Sequence, residues 1–162
     1  MKLNTLNEDI KNNIKDYTIF KPKNKDELKK AVDLWIENKE EALNYHGHIS
    51  TWNTSLINDM SKLFMYQEFN QDISQWNVSN VTDMSYMFCE ALSFDQDISQ
   101  WNMSNVTDMH SMFSKAEAFN KDISQWNVSN VTNMKSMFSG ASSFNQDISK
   151  WNVSNVTDMG YM

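Results

Sequence analysis

The stretch FNQDISQWNVSNVTDMSYMFCEALS, residues 69–93, decides the fold, because it returns almost unchanged as residues 94–118 and 119–143. Its tryptophan recurs with spacings of 24, 25, 25 and 25 residues, at Trp52, Trp76, Trp101, Trp126 and Trp151. A fixed period in this range is the signature of a stacked repeat protein. One unit is too small to bury its own apolar side chains, so neighbouring units must share a core.

Within each unit, the apolar residues follow a helical spacing. Met84, Met87, Phe88 and Ala91 fall at i, i+3, i+4 and i+7, which predicts a short helix. Residues 97–99 predict a very short strand that pairs in parallel with its copies in neighbouring units. The predicted fold is therefore an α/β repeat, a leucine-rich-repeat-like solenoid of coils of about 25 residues. The predicted helix core is Met84, Met87, Phe88, Met109, Met112, Phe113, Met134, Met137 and Phe138.

The chain divides into an N-terminal capping segment, residues 1–47, and an array of four to five repeats, residues 48–162, with the last repeat incomplete. An apolar stripe predicts a helix near 24–46 that covers the first coil; a helix lying on a membrane surface is the alternative. Residues 1–16 predict a marginal helix, and residues 17–20 a short strand. The incomplete last coil predicts either a fragment or a homo-oligomer that pairs through this C-terminal end.

Two kinds of side chain form ladders along the repeats. The tryptophans are predicted to hold neighbouring coils together as a buried or edge ladder, and an exposed binding stripe is the alternative. The asparagines of a second ladder are predicted to bond within the turns and to the next coil. Their N-x-Ser/Thr context also matches a glycosylation site. This second ladder comprises Asn80, Asn105, Asn130 and Asn155.

Charge and cysteine content exclude several function classes. Residues 1–47 carry nine lysines and nine acidic residues, so the net charge of −7 lies in residues 48–162, which carry five lysines and twelve acidic residues. An acidic array without arginine is a poor candidate for binding nucleic acid or anionic lipid. The single cysteine, Cys89, excludes a disulfide framework and a four-cysteine zinc site. No apolar run is long enough to predict a membrane span, and no signal peptide is visible, which favours an intracellular location.

The sequence predicts no catalytic, cofactor or metal site. His46 and His48 could supply two metal ligands, but no third ligand follows at suitable spacing, so both are predicted in a turn. Cys89 has no histidine or aspartate fixed beside it by sequence. The recurring aspartates are predicted to accept backbone N–H groups and to cap helices, and calcium binding is the alternative. We therefore expect a protein that is not an enzyme.

Positions that change between units while the scaffold stays constant are the expected binding residues. A non-enzymatic repeat scaffold that mediates protein–protein interaction is the predicted function, and the preferred partner is a protein with a basic patch. The alternative is a structural protein that assembles by stacking through its C-terminal coil. The candidate binding face comprises Tyr86, Glu90, His110, Lys115 and Lys135.

The unit W-N-V-S-N-V-T-D-M-S-x-M-F resembles the repeat of the BspA-like leucine-rich-repeat surface proteins, a mycoplasma-lipoprotein-type repeat known as domain of unknown function 285. The resemblance covers roughly residues 20–162. It implies a leucine-rich-repeat-like solenoid and, from many bacterial relatives, a role in host or cell-surface contact. No set of enzymatic residues is associated with this repeat. The chain differs from the surface members in that it shows no signal peptide or lipobox cysteine.

Overall fold

The computed structural model describes residues 19–162, which begin with two consecutive helices. Helix α1 spans Lys25–Glu37, helix α2 spans Lys39–His46, and a short 3₁₀ helix, Ile49–Thr51, follows. The side chain of Asn24 accepts the Glu27 N–H at 2.9 Å and caps α1. The helix predicted over 1–16 and the first half of the strand predicted over 17–20 lie outside the described residues.

Asn38 divides the single helix that the sequence predicts over 24–46. Its backbone N–H donates to the Leu34 carbonyl at 2.8 Å and closes α1. Its side chain accepts the Glu41 N–H at 3.2 Å and caps α2. Because asparagine offers the backbone such local hydrogen bonds, one residue ends the first helix and starts the second.

Helix α1 packs against the first repeat unit. Trp35 of α1 meets Trp52 of that unit edge to face, with ring centroids 6.0 Å apart. At the start of α1, the Lys25 ammonium lies 2.8 Å from an Asp59 carboxylate oxygen and also bonds to the Ser61 hydroxyl. The helix and the first unit therefore share one apolar core.

The repeat units are successive turns that stack on one another through backbone hydrogen bonds. Through the methionine-rich stretch of each unit, every second N–H donates to the next unit, as the Phe88 N–H does to the Met112 carbonyl at 2.9 Å. The intervening N–H groups turn back three residues, as the Met87 N–H does to the Met84 carbonyl at 3.1 Å. In this stretch the backbone N–H groups therefore alternate between partners in the same unit and partners in the next unit.

The prediction of an α/β, leucine-rich-repeat-like solenoid with a strand and a helix in each coil is wrong. Both α-helices of the described residues precede the repeats, and residues 97–99 form no strand. Within residues 19–162, parallel pairing is confined to single bridge residues, so there is no sheet. The bridge residues are Asp59, Asp83, Asp108, Asn133 and Asp158.

Left-handed backbone explains why the Met-x-x-Met-Phe stretch is not a helix. Tyr86 has φ 59° and Glu90 has φ 57°, and the equivalent Ser111 and Lys115 have φ 53° and 54°. A right-handed helix cannot contain such residues, and each conformation costs about 1–2 kcal/mol at a residue with a Cβ. The hydrogen bonds to the next unit offset that cost, because they form only when the chain alternates in this way.

Two columns of phenylalanines run through the interior of the stack. The rings of Phe64, Phe88, Phe113 and Phe138 are nearly parallel, with neighbouring centroids 5.5, 5.6 and 5.8 Å apart. A second column packs beside the first, so that Phe119 lies 4.0 Å from Phe113 between ring centroids. The residues predicted as the helix core line this interior without a helix: Met84, Met87, Phe88, Met109, Met112, Phe113, Met134 and Met137 are buried and Phe138 is partly buried.

Candidate interaction face

Several positions at which the units differ lie within the methionine-rich stretch of each unit. They flank the methionine and phenylalanine core positions, where the left-handed residues also lie. Direct contacts join Lys62 to Tyr86, Tyr86 to His110 and Glu90 to Lys115 in consecutive units, and we call this set, with the equivalent Tyr66 and Lys135, the variable face. It comprises Lys62, Tyr66, Tyr86, Glu90, His110, Lys115 and Lys135.

One row of the variable face runs through three consecutive units. The Lys62 ammonium lies 5.6 Å from the centroid of the Tyr86 ring, which is cation–π geometry. The Tyr86 and His110 ring centroids are 4.8 Å apart, and the Tyr86 hydroxyl lies 3.1 Å from His110 Nε2. The row therefore offers aromatic area together with hydrogen-bonding groups.

A second row of the variable face carries an exposed tyrosine and an ion pair. The Tyr66 side chain is 62% exposed. The Lys115 ammonium lies 2.7 Å from a Glu90 carboxylate oxygen, and this hydrogen bond raises the pKa of Lys115. Because an exposed pair contributes little to stability, both charges remain available to a partner.

Lys62 and Tyr66 were not among the residues predicted for this face from the sequence. The first unit matches the repeat less closely and is one residue short. Counting forward from the tryptophan would have placed both, since Met60 follows Trp52 by the same eight residues that separate Met84 from Trp76.

The tryptophan column is buried and does not form an exposed stripe. The Trp101 Nε1–H donates to the Ile73 carbonyl at 3.2 Å, and the Trp126 Nε1–H donates to the Ile98 carbonyl at 3.1 Å. Each indole thus bonds to the backbone of the preceding unit. Equivalent bonds from Trp76 and Trp151, and a bond from Trp52 to Gly47, complete the column.

The asparagines predicted as a ladder bond to the preceding unit. The Asn105 Nδ2–H donates to the Ser79 carbonyl at 2.7 Å. This bond fastens the side chain to the backbone of the unit before it. The same bond recurs at Asn80, Asn130 and Asn155.

Aspartates recur at one position of the repeat, at Asp72, Asp97, Asp122 and Asp147. In this column each aspartate accepts the N–H of the serine two residues on, as Asp97 does from Ser99 at 2.9 Å. Among residues 19–162, no three histidine, cysteine, aspartate or glutamate side chains are grouped to hold a metal ion.

The bonds from serine give this aspartate column a pH-dependent role. The Ser99 N–H lowers the pKa of Asp97, and serines lower the pKa of Asp72, Asp122 and Asp147 in the same way. A carboxyl with a lower pKa in the folded state stabilises the fold above its unfolded pKa of about 3.9. We expect this stabilisation to be lost as the pH falls through the lowered folded pKa. Urea unfolding between neutral pH and strong acid should show a shallower acid-side decline for Asp97→Asn, and an unchanged decline would contradict the assignment.

The three remaining candidates for chemistry, His46, His48 and Cys89, take part in packing or in capping. His46 packs against Phe20 and Trp52, with ring centroids 4.1 and 5.8 Å away, and burial lowers its pKa. His48 caps the 3₁₀ helix by accepting the Ser50 N–H at 3.3 Å. Burial also raises the pKa of the Cys89 thiol, which is the opposite of what a reactive thiolate needs.

No helix within residues 19–162 combines the length and the apolar character needed to cross a bilayer.

Comparison with known proteins places the chain beside one family. A family model described as "Mycoplasma protein of unknown function, DUF285" matches residues 30–126 and 96–162. The resemblance drawn from the repeat motif to domain of unknown function 285 is thereby confirmed. No curated protein and no solved structure matches the chain.

Proposed function

We propose that this chain, which belongs to the DUF285 family of Mycoplasma proteins of unknown function, is a non-enzymatic scaffold that binds another protein through its variable face. One observation carries the proposal. The side chains that recur from unit to unit make the core and the bonds between units, whereas changing side chains of the methionine-rich stretch lie outside the core and contact one another from unit to unit. A stack needs its constant residues for folding, so the changing ones are free to serve recognition.

The chemistry of the variable face suits protein recognition. Tyrosine is enriched among residues that dominate binding energy, because its ring adds area at low entropic cost and its hydroxyl adds a hydrogen bond. Tyr66 and Tyr86 supply the rings, and Lys62, Lys115 and Glu90 supply charges around them. The buried, poorly ionised thiol of Cys89 supports the non-enzymatic part of the proposal.

The charge of the repeats favours a partner with a basic patch. The net charge of −7 lies in residues 48–162, whereas the variable face itself carries three lysines and one glutamate, so the acidic residues that attract a basic partner lie around this face. Such a field attracts a basic partner over a distance of about 10 Å at moderate salt. Binding should therefore slow as salt concentration rises, while contacts on the variable face hold the complex together.

The partner can be identified and the face tested with one set of variants. A photo-crosslinking residue at position 66 captures the partner from cell extract, and calorimetry then measures its affinity. We expect Tyr66→Ala combined with Tyr86→Ala to weaken binding at least about tenfold, because the two rings are the largest side chains of the face. The matched control is Gln125→Ala, an exposed residue outside the variable face.

Two results would contradict the proposal. The first is a captured partner whose affinity is unchanged by the double tyrosine substitution. The second is equal capture by a crosslinker at position 125, which would place the contact elsewhere on the stack.

A further inference from the structure

A cleft of about 610 Å³ lies where the N-terminal segment meets the first two repeat units. Its lining consists of Ile19, Ser50 and Thr51 of the 3₁₀ helix, Trp52, Asn53, Ser55, Gln75 and Asn77. Its volume falls in the range of small-molecule sites, about 300–1,000 Å³. The cleft is separate from the variable face, so a ligand bound in it is independent of the proposed function.

The lining of this cleft contains no charged residue, although 22% of the chain is charged. An ionised ligand that entered would lose hydration without gaining an opposite charge, which is costly. The ligand that fits is therefore uncharged.

The amides of the cleft present hydrogen-bonding groups in fixed orientations. Asn53 Oδ1 accepts the Ser55 N–H at 3.1 Å, and Asn77 Oδ1 accepts the Ser79 N–H at 3.0 Å. These bonds hold both side chains while each Nδ2 has no hydrogen-bond partner among the described residues. The Gln75 Nε2–H donates to the Ser74 hydroxyl at 3.3 Å, which leaves Gln75 Oε1 as an acceptor. The cleft thus combines two amide donors, one amide acceptor and serine hydroxyls.

An apolar wall accompanies these polar groups. The Ile19 side chain is 64% exposed and supplies the apolar surface of the cleft, because Trp52, which also lines it, is only 2% exposed. A ligand that matches these neutral donors, neutral acceptors and apolar surface carries several hydroxyl groups on a ring that also exposes C–H groups. We propose that this cleft binds a sugar unit of an uncharged oligosaccharide.

The later units provide a matched control within the same chain. Asn102 and Asn127 accept the N–H of the serine two residues on, at 3.1 and 3.2 Å, in the same turn as Asn53 and Asn77. They have no Ile19 wall beside them and do not line the cleft. Replacing asparagine by aspartate keeps the accepting oxygen of this turn, replaces the Nδ2 donor by a second carboxylate oxygen and adds one negative charge, and the control pair adds the same charge away from the cleft.

The experiment measures sugar binding to the full chain by NMR, through the side-chain amide signals of Asn53, Gln75 and Asn77. The neutral probes are cellotriose, maltotriose and N,N′-diacetylchitobiose, and the comparison probes are trigalacturonic acid and tri-alanine. We expect at least one neutral sugar to shift these signals saturably at millimolar concentration, and neither comparison probe to do so. Asn53→Asp with Asn77→Asp should weaken that binding at least about tenfold, since two hydrogen bonds are lost. Asn102→Asp with Asn127→Asp should leave it unchanged.

Several outcomes would overturn this assignment. One is the absence of any saturable shift with all three neutral sugars, and another is a stronger response to trigalacturonic acid or tri-alanine. Equal weakening by the two pairs of substitutions would also overturn it. The Tyr66→Ala and Tyr86→Ala variant should bind the sugar normally, which separates a failure of this site from a failure of the variable face.

Discussion

Phe113→Ala should lower the free energy of unfolding by about 3–5 kcal/mol, because it opens a cavity in the middle of the aromatic column. Phe113 is fully buried, and its ring lies between those of Phe88 and Phe138 and against Phe119. Urea unfolding followed by tryptophan fluorescence measures the loss. Since each unit shares its core with both neighbours, no single unit can repack to fill the space.

Leu92→Ala is the control for this prediction. Leu92 is 48% exposed and lies outside the phenylalanine columns, so its truncation should change stability by less than about 0.5 kcal/mol. If Phe113→Ala destabilised the protein no more than Leu92→Ala, the phenylalanine columns could not be the core that unites the units.

The sequence was sufficient to identify the repeat and most of its interior, because both depend on spacing alone. The tryptophan period marks the units, and the methionines and phenylalanines at fixed offsets from it are buried, except towards the end of the stack, where Phe138 and Phe144 are partly buried and Met159 is 43% exposed. The bonds between units from Asn105 and its equivalents were also predictable, since an amide repeated at one position finds the same backbone carbonyl in each neighbouring unit.

The local structure of a unit was not predictable from the same spacing. Met84, Met87 and Phe88 face the interior both in a helix and in a run of turns. The choice depends on hydrogen bonds such as that from Phe88 to Met112, which exist only after the next unit has stacked. The left-handed residues Tyr86 and Glu90 are not glycines, and glycine marks the position of Glu90 in one later unit alone, at Gly140 with φ 74°.

Some residues of the candidate sites were predictable from the repeat, and others were not. Changing positions within a clear repeat identified Tyr86, His110 and Lys115, while the looser first unit hid Tyr66. The uncharged cleft could not be predicted, because it joins Ile19 to residues of two units that lie 30 or more positions away in the sequence.

Trp126→Phe should lower the free energy of unfolding by about 2–3 kcal/mol, the second largest effect that we expect, since it removes both ring volume and a buried hydrogen bond. The Ile98 carbonyl accepts the Trp126 Nε1–H and the Trp101 N–H, each at 3.1 Å. Loss of the indole bond leaves that carbonyl with one partner of two, so the cost of the bond itself should be near 1 kcal/mol rather than that of a fully unpaired group.

Benzothienylalanine at position 126 separates the two contributions to this loss. It keeps the size of the indole and replaces the N–H by sulfur, so only the bond between units disappears. We expect this variant to lose about 1 kcal/mol, which is the contribution of the hydrogen bond. The additional loss in Trp126→Phe then measures packing against Phe113 and Trp151, whose ring centroids lie 6.2 and 6.4 Å away. Wild-type stability of the benzothienylalanine protein, measured by urea unfolding, would show that the indole acts by volume alone. The tryptophan column would then fill the core without fastening one unit to the unit before it.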